Sequence, residues 1–195
     1  EVGRGPVAGP VTVCAVYLSS PSKIKKDIFN NIIRDSKRIS KSLSSSIYLT
    51  IRNKRYFKSK VLYSISSRSA YYIDRYGIQK AIKVCVDQTL NNLTKKGLNI
   101  KNIKIRMDYG LKASDKSLKQ LDFIKGDERF VEIALASVMA KEYRDSYMKR
   151  LSKIESLYLW DKNVGYGTEK HILAIKKYGI TKFHRKTYLK EFKLF

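Results

Sequence analysis

The stretch EVGRGPVAGPVTVCAVYL, residues 1–18, joins two unlike halves. Residues 10–18, PVTVCAVYL, are apolar and rich in β-branched side chains, the composition of a buried strand. Ahead of them residues 1–10 place an acid, an arginine, three glycines and two prolines. Glycines at 3 and 5 let peptide N–H groups approach a ligand closely, and Arg4 between them can reach a phosphate or a sugar edge. A strand entered through such a loop sets the frame for the rest of the chain.

Outward from it, KVLYSISS (60–67) reads as a second strand, followed by helices over Ala70–Tyr76 and Ile78–Leu93 parted at Gly77. NIKIRMDYG (102–110) alternates and ends in a carboxylate, and LDFIKGD (121–127) has the same form. From Glu128 to about Ile154 the pattern is helical, with Val131, Ala134, Leu135, Val138 and Met148 on one stripe. A last helix covers Glu169–Tyr178, capped by Thr168 and stopped by Gly179. The basic, Ser-rich segment 28–55 is weakly helical, and DSKRIS (35–40) reads as a loop capping the next helix. Strands mixed with helices predict one layered α/β domain over residues 1–195, its basic tail KFHRKTYLKEFKLF and the helix before it (168–195) forming a helical appendage.

Forty-one Lys+Arg against 17 Asp+Glu give a formal charge of +24, which points to a polyanionic partner, nucleic acid first, although A/T-biased coding also enriches Lys, Ile, Asn and Tyr. Cys14 and Cys85 stand far apart with no Cys/His pair at zinc spacing, so a disulfide framework and a zinc site are disfavoured. No apolar run approaches the ~20 residues that span a bilayer, and no signal peptide is legible, so a cytoplasmic protein without membrane contact is expected.

The scarce acids carry the chemistry. Asp108 and Asp127 each lie where an apolar strand gives way to glycine, a rigid base for a projecting carboxylate, although M-D-Y-G and K-G-D-E are also good turn sequences. Asp145 lies seven residues beyond Val138, ~20° from the apolar stripe, and so needs either a cation or an ion pair with Lys141. Converging carboxylates suit Mg²⁺ or Mn²⁺, and a pair of such ions can drive phosphodiester cleavage. Imidazole catalysis is a weaker reading, His171 falling inside a helix as a structural residue. Tyr166, between Gly165 and Gly167, is a ring on a turn that could stack on a sugar or base, or pack on the core.

Taken in order, EVGRGPVAGP, DSKRIS, MDYG, KGDE, ASVMAKEYRD (136–145), GYGT (165–168) and HRKTY (184–188) resemble the ribonuclease HII family over essentially the whole chain. The resemblance implies a ribonuclease H-like fold, a central mixed β-sheet flanked by helices with a helical C-terminal part. It implies an endonuclease, expected as a monomer, that hydrolyses the RNA strand of RNA/DNA hybrids. Such an enzyme cuts 5′ of single ribonucleotides in duplex DNA, leaving a 3′-hydroxyl, with two Mg²⁺ or Mn²⁺ ions during catalysis. By motif match Glu1, Asp108 and Asp127 fall on metal-binding acids and Asp145 on a supporting acid. Gly3, Arg4 and Gly5 fall on the loop that reads the ribose 2′-hydroxyl, and Tyr166 on the ring that stacks against the adjacent deoxyribose. The family motif runs Asp-Glu-x-Gly-Arg-Gly, whereas this sequence begins at the Glu. A truncated chain without its first strand and first ligand is therefore expected, with a free α-amino group beside Glu1. The alternative from another class is a hybrid-binding module impaired in catalysis. Tyr109, where the family favours glycine, is expected to crowd the turn after Asp108.

Overall fold

The computed structural model describes residues 1–24, 40–53 and 60–192. In chain order its elements are β1 (Val11–Leu18), α1 (Lys41–Asn53), β2 (Val61–Arg68), α2 (Ala70–Tyr76), α3 (Ile78–Lys95), β3 (Ile105–Asp108) and β4 (Gln120–Phe123), then α4 (Gly126–Arg129), α5 (Val131–Ile154), α6 (Trp160–Asn163), α7 (Glu169–Tyr178) and α8 (Lys186–Leu189). Successive residues of a strand face opposite ways. Accordingly Val11 and Val13 pack on Ile82, Cys85, Val86 and Leu90 of α3, while Cys14 and Leu18 pack on Leu135, Val138 and Met139 of α5. A helix on each face is why PVTVCAVYL is apolar almost without interruption.

β1 pairs antiparallel with β2, Val11 opposite Arg68 and Leu18 opposite Val61, while β3 pairs in parallel with β4. Both pairing senses of a mixed sheet are thus present, as two two-stranded ladders among the described residues. An apolar cavity of about 210 Å³ lies between them, lined by Val13, Ala15, Leu90, Ile105 and Met107. No helix among the described residues is long and apolar enough to cross a membrane.

The strands at 10–18 and 60–67 and the two helices parted at Gly77 stand where the sequence places them, within two residues. Four expectations need correction. The strand expected over 102–110 is only Ile105–Asp108, because residues 100–102 form a 3-10 turn. Asp127 is not at a strand tip: β4 ends at Phe123, and Asp127 lies in the first turn of α4 after Lys125 adopts a left-handed backbone at φ 54°. The long helix is interrupted at Phe130, whose extended backbone sets its ring 4.6 Å from that of Phe123. The tail is no appendage, since His184, Arg185 and Leu189 are buried and Leu189 shares a core with Val7, Ala8, Met148 and Trp160. DSKRIS lies outside the described residues except Ser40, whose Oγ accepts from the Leu43 N–H at 3.3 Å at the start of α1.

α7 spans the residues expected, with Thr168 Oγ1 accepting from His171 N–H and the Gly179 N–H donating to the Ile175 carbonyl at 2.8 Å. Thr168→Ala leaves that N–H without its side-chain acceptor and should cost about 1 kcal/mol of stability, read as a lowered urea midpoint at unchanged slope.

Candidate active site

Two buried arginines assemble the site. Arg144 of α5 donates from Nε to the Pro10 carbonyl (2.8 Å), from Nη1 to Val164 (2.8 Å) and from Nη2 to Ala8 (3.1 Å). Arg185 donates from Nε to Gly9 (3.0 Å), from Nη1 to Arg4 (2.9 Å) and from Nη2 to Gly3 (2.6 Å). Burial holds both guanidiniums below their ordinary pKa, Arg185 at about 10. Gly3 has φ +85°, and a side chain there would meet the Pro10 carbonyl at 2.6 Å and run into Arg144, so the loop passes Arg144 only as glycine.

The same contacts join the opening loop to the Tyr166 turn. Ala8 N–H donates to the Gly165 carbonyl at 3.1 Å, and Arg185 N–H to Val7 at 2.8 Å. A Cβ on Gly5 would stand 4.0 Å from Tyr166 Cε1, so Gly5 faces the edge of that ring. Arg4, Gly5 and Tyr166 are exposed side by side. The loop expected to read the ribose 2′-hydroxyl and the ring expected to stack on the adjacent deoxyribose are therefore neighbours.

Beneath Tyr166 lies a buried polar chain. His171 Nδ1 lies 2.8 Å from the Tyr166 carbonyl, so that nitrogen carries the proton and donates, leaving Nε2 to accept from Trp160 Nε1 at 3.0 Å. His184 Nδ1 accepts the Thr181 N–H at 2.9 Å, so its Nε2–H donates to His171 Nε2 at 3.2 Å. Both histidines must be neutral to satisfy these bonds, and burial lowers both pKa values, His184 to about 4. His171 is thus the structural residue that the sequence suggests.

The acids are more dispersed. Glu1 Oε2 pairs with Arg4 Nη2 at 3.2 Å. Asp108 ends β3, its Oδ1 accepting the Tyr109 N–H at 3.0 Å. Tyr109 is 66% exposed and the space beside Gly110 is open, so the expected crowding does not occur. Asp145 takes the ion pair with Lys141, at 2.8 Å, its own side chain 14% exposed beside the buried row Ala140, Arg144, Met148 and Leu151. Glu1 borders both cavities of the site: it shares the first with Asp108, and a second of about 520 Å³ with the charged residues Asp127, Lys141 and Asp145.

No three acids, histidines or cysteines among the described residues stand close enough together to form a ready metal cage. The donor chemistry nevertheless suits Mg²⁺ or Mn²⁺, since Mg²⁺ is commonly held by one or two carboxylates together with substrate phosphate and water. Glu1 lines one cavity with Asp108 and another with Asp127, and Asp108 and Asp127 do not line a common one. Arg144 and Arg185 were not singled out in the sequence, although Arg144 continues an i, i+4, i+8 row from Ala140 to Met148 and Arg185 stands in HRKTY.

A family model described as Ribonuclease HII matches residues 1–191. Proteins named Ribonuclease HII are similar to this chain: that of Staphylococcus saprophyticus is 39% identical over 188 residues, 96% of this chain and 66% of the relative. That of Clostridium botulinum strain Loch Maree is 36% identical over 200 residues, 97% of this chain and 65% of the relative. The chain therefore spans just under two thirds of the length of these curated relatives. Among solved structures, the ribonuclease H2 of Pyrococcus horikoshii OT3 superposes with a TM-score of 0.73 at 18% identity, over 100% of this chain and 93% of that one. A Bst-RNase HIII in complex with Mn²⁺ gives 0.72 at 18%, over 100% and 67%. The RNase HII in a complex with PCNA from Archaeoglobus fulgidus gives 0.71 at 19%, over 95% and 91%. These likenesses establish the ribonuclease H-like fold.

Proposed function

The chain belongs to the ribonuclease HII family, and from that premise we propose that it is an endoribonuclease acting on RNA/DNA hybrids and on duplex DNA containing single ribonucleotides. The observation that carries this reading is the seating of the Gly3-Arg4-Gly5 loop against Tyr166. Peptide N–H groups and a guanidinium beside an aromatic ring supply donors for a 2′-hydroxyl and phosphate and a face for the next sugar. The charge of +24 supplies sequence-independent attraction to the duplex. Glu1, Asp108 and Asp127 would hold Mg²⁺ or Mn²⁺, whose two-ion chemistry lowers the pKa of the attacking water and stabilises the departing 3′-oxygen. Asp145, tied to Lys141 in the lining of the cavity that Glu1 shares with Asp127, supports the site without being placed among the principal ligands.

A second reading, a hybrid-binding module with little catalysis, is favoured by the Glu1–Arg4 pair and the dispersal of the acids. One assay separates the two. This chain, and the same chain with an aspartate added ahead of Glu1, are incubated with a duplex carrying one ribonucleotide in Mg²⁺ or Mn²⁺. Cutting 5′ of the ribonucleotide by either form supports the enzyme; binding without cutting by both would leave the binding module.

A further inference from the structure

Arg144 and Arg185 are 1% and 0% exposed. A buried guanidinium is costly unless its donors are satisfied, and a carboxylate is the usual partner. Here the two groups donate to main-chain carbonyls of the opening loop and the Tyr166 turn, with the Tyr188 side chain alongside Arg185. The pairing has a directional consequence. Across a trans peptide the N–H points opposite to the C=O of the preceding residue. Arg185 draws the Gly3 and Arg4 carbonyls inward, so the N–H groups of Arg4 and Gly5 point outward, on the exposed side beside Tyr166. The Tyr188 hydroxyl donates to the same Arg4 carbonyl at 3.0 Å, reinforcing that orientation from α8.

Resting on the proposed ribonuclease reading, we propose that Arg185 is a positioning residue for ribose recognition: it turns the Arg4 and Gly5 N–H groups toward the substrate, with Arg144 fixing the Tyr166 turn at the matching distance. A second arginine serves the turn because Arg144 binds Val164 and Ala8 together, and Ala8 N–H holds Gly165. Lysine cannot replace either side chain, since one ammonium lacks the rigid planar fork that reaches carbonyls of separate residues.

The test compares the wild-type chain with Arg185→Lys and with Tyr188→Phe, which removes one donor to Arg4 at little cost to the core. Without divalent ions, so that nothing is cut, affinity is measured for a duplex with one ribonucleotide and for its all-DNA counterpart. The ratio of the two should fall about tenfold in Arg185→Lys and two- to threefold in Tyr188→Phe, with all-DNA binding unchanged. Amide NMR shifts of Arg4 and Gly5 should move in both variants while those of α3 stay in place. If Arg185→Lys fails to fold, Tyr188→Phe decides alone. Unmoved Arg4 and Gly5 amides in the folded variants overturn the positioning role whatever the substrate. A wild-type ratio of one, with the amides displaced in the variants, instead overturns the ribonucleotide reading and leaves the loop clamp standing.

Discussion

Asp108→Asn is expected to reduce cleavage of a ribonucleotide-containing duplex by about a thousandfold, roughly 4 kcal/mol of transition-state stabilisation, while leaving duplex binding equal or tighter. The carboxylate stands at the end of β3, anchored by the buried Met107 before it, and its Oδ1 already accepts the Tyr109 N–H. Asparagine keeps that acceptor, so the turn and the Asp108 carbonyl bond to Leu111 N–H should survive. What is lost is one negative charge beside the apolar cavity that Glu1 also borders. A neutral amide binds a divalent ion weakly, and it repels a phosphate less than a carboxylate does. Single-turnover cleavage and equilibrium binding, measured on one preparation, separate the two effects. A fully active variant would remove Asp108 from the site.

How much of this was legible depended on whether a residue's role is local. β1, β2, α2, α3 and α7 follow from β-branched runs, helical spacing and caps within a few residues of each other, and their bounds agree with those local signals to within two residues. Phe130 was not legible as an interruption because its ring answers to Phe123, across a turn, and not to its own helix. The place of Asp127 is hidden for a related reason: the left-handed residue that redirects the chain between strand and helix is Lys125 and not the neighbouring Gly126. In the site, the glycines, Arg4 and Tyr166 could be nominated from composition, since flanking glycine and exposed aromatics are local signals. Arg144 and Arg185 could not, because their acceptors lie 134 or more residues away in sequence for all but Val164. An arginine in an apolar row reads as an exposed charge until the carbonyls that bury it are known.

The buried histidine pair makes the lower pH limit of this region calculable. In the unfolded chain His184 takes up a proton near pH 6.5, whereas in the fold burial and the neighbouring His171 push its pKa down to about 4. Between those values the unfolded state binds more protons, so stability rises with pH there and is lost as pH falls from about 6.5 through 4. Above 6.5 both states are neutral and the contribution is complete. A displacement from 6.5 to about 4 corresponds to about 3 kcal/mol. His171, lowered in the same direction, adds to the loss. The chemistry agrees with the sign: a protonated His184 Nδ1 would present N–H to the Thr181 N–H that it now accepts, and a protonated His171 Nε2 could no longer accept from Trp160. Urea unfolding at pH 7 and pH 4.5 should therefore show a fall that is smaller in His184→Gln than in wild type, because glutamine does not titrate. Equal falls in both would mean that His184 is not the group being charged. Because His171 holds the Tyr166 carbonyl, loosening of the recognition turn should accompany the loss of stability, with Tyr166 amide exchange quickening over the same pH interval.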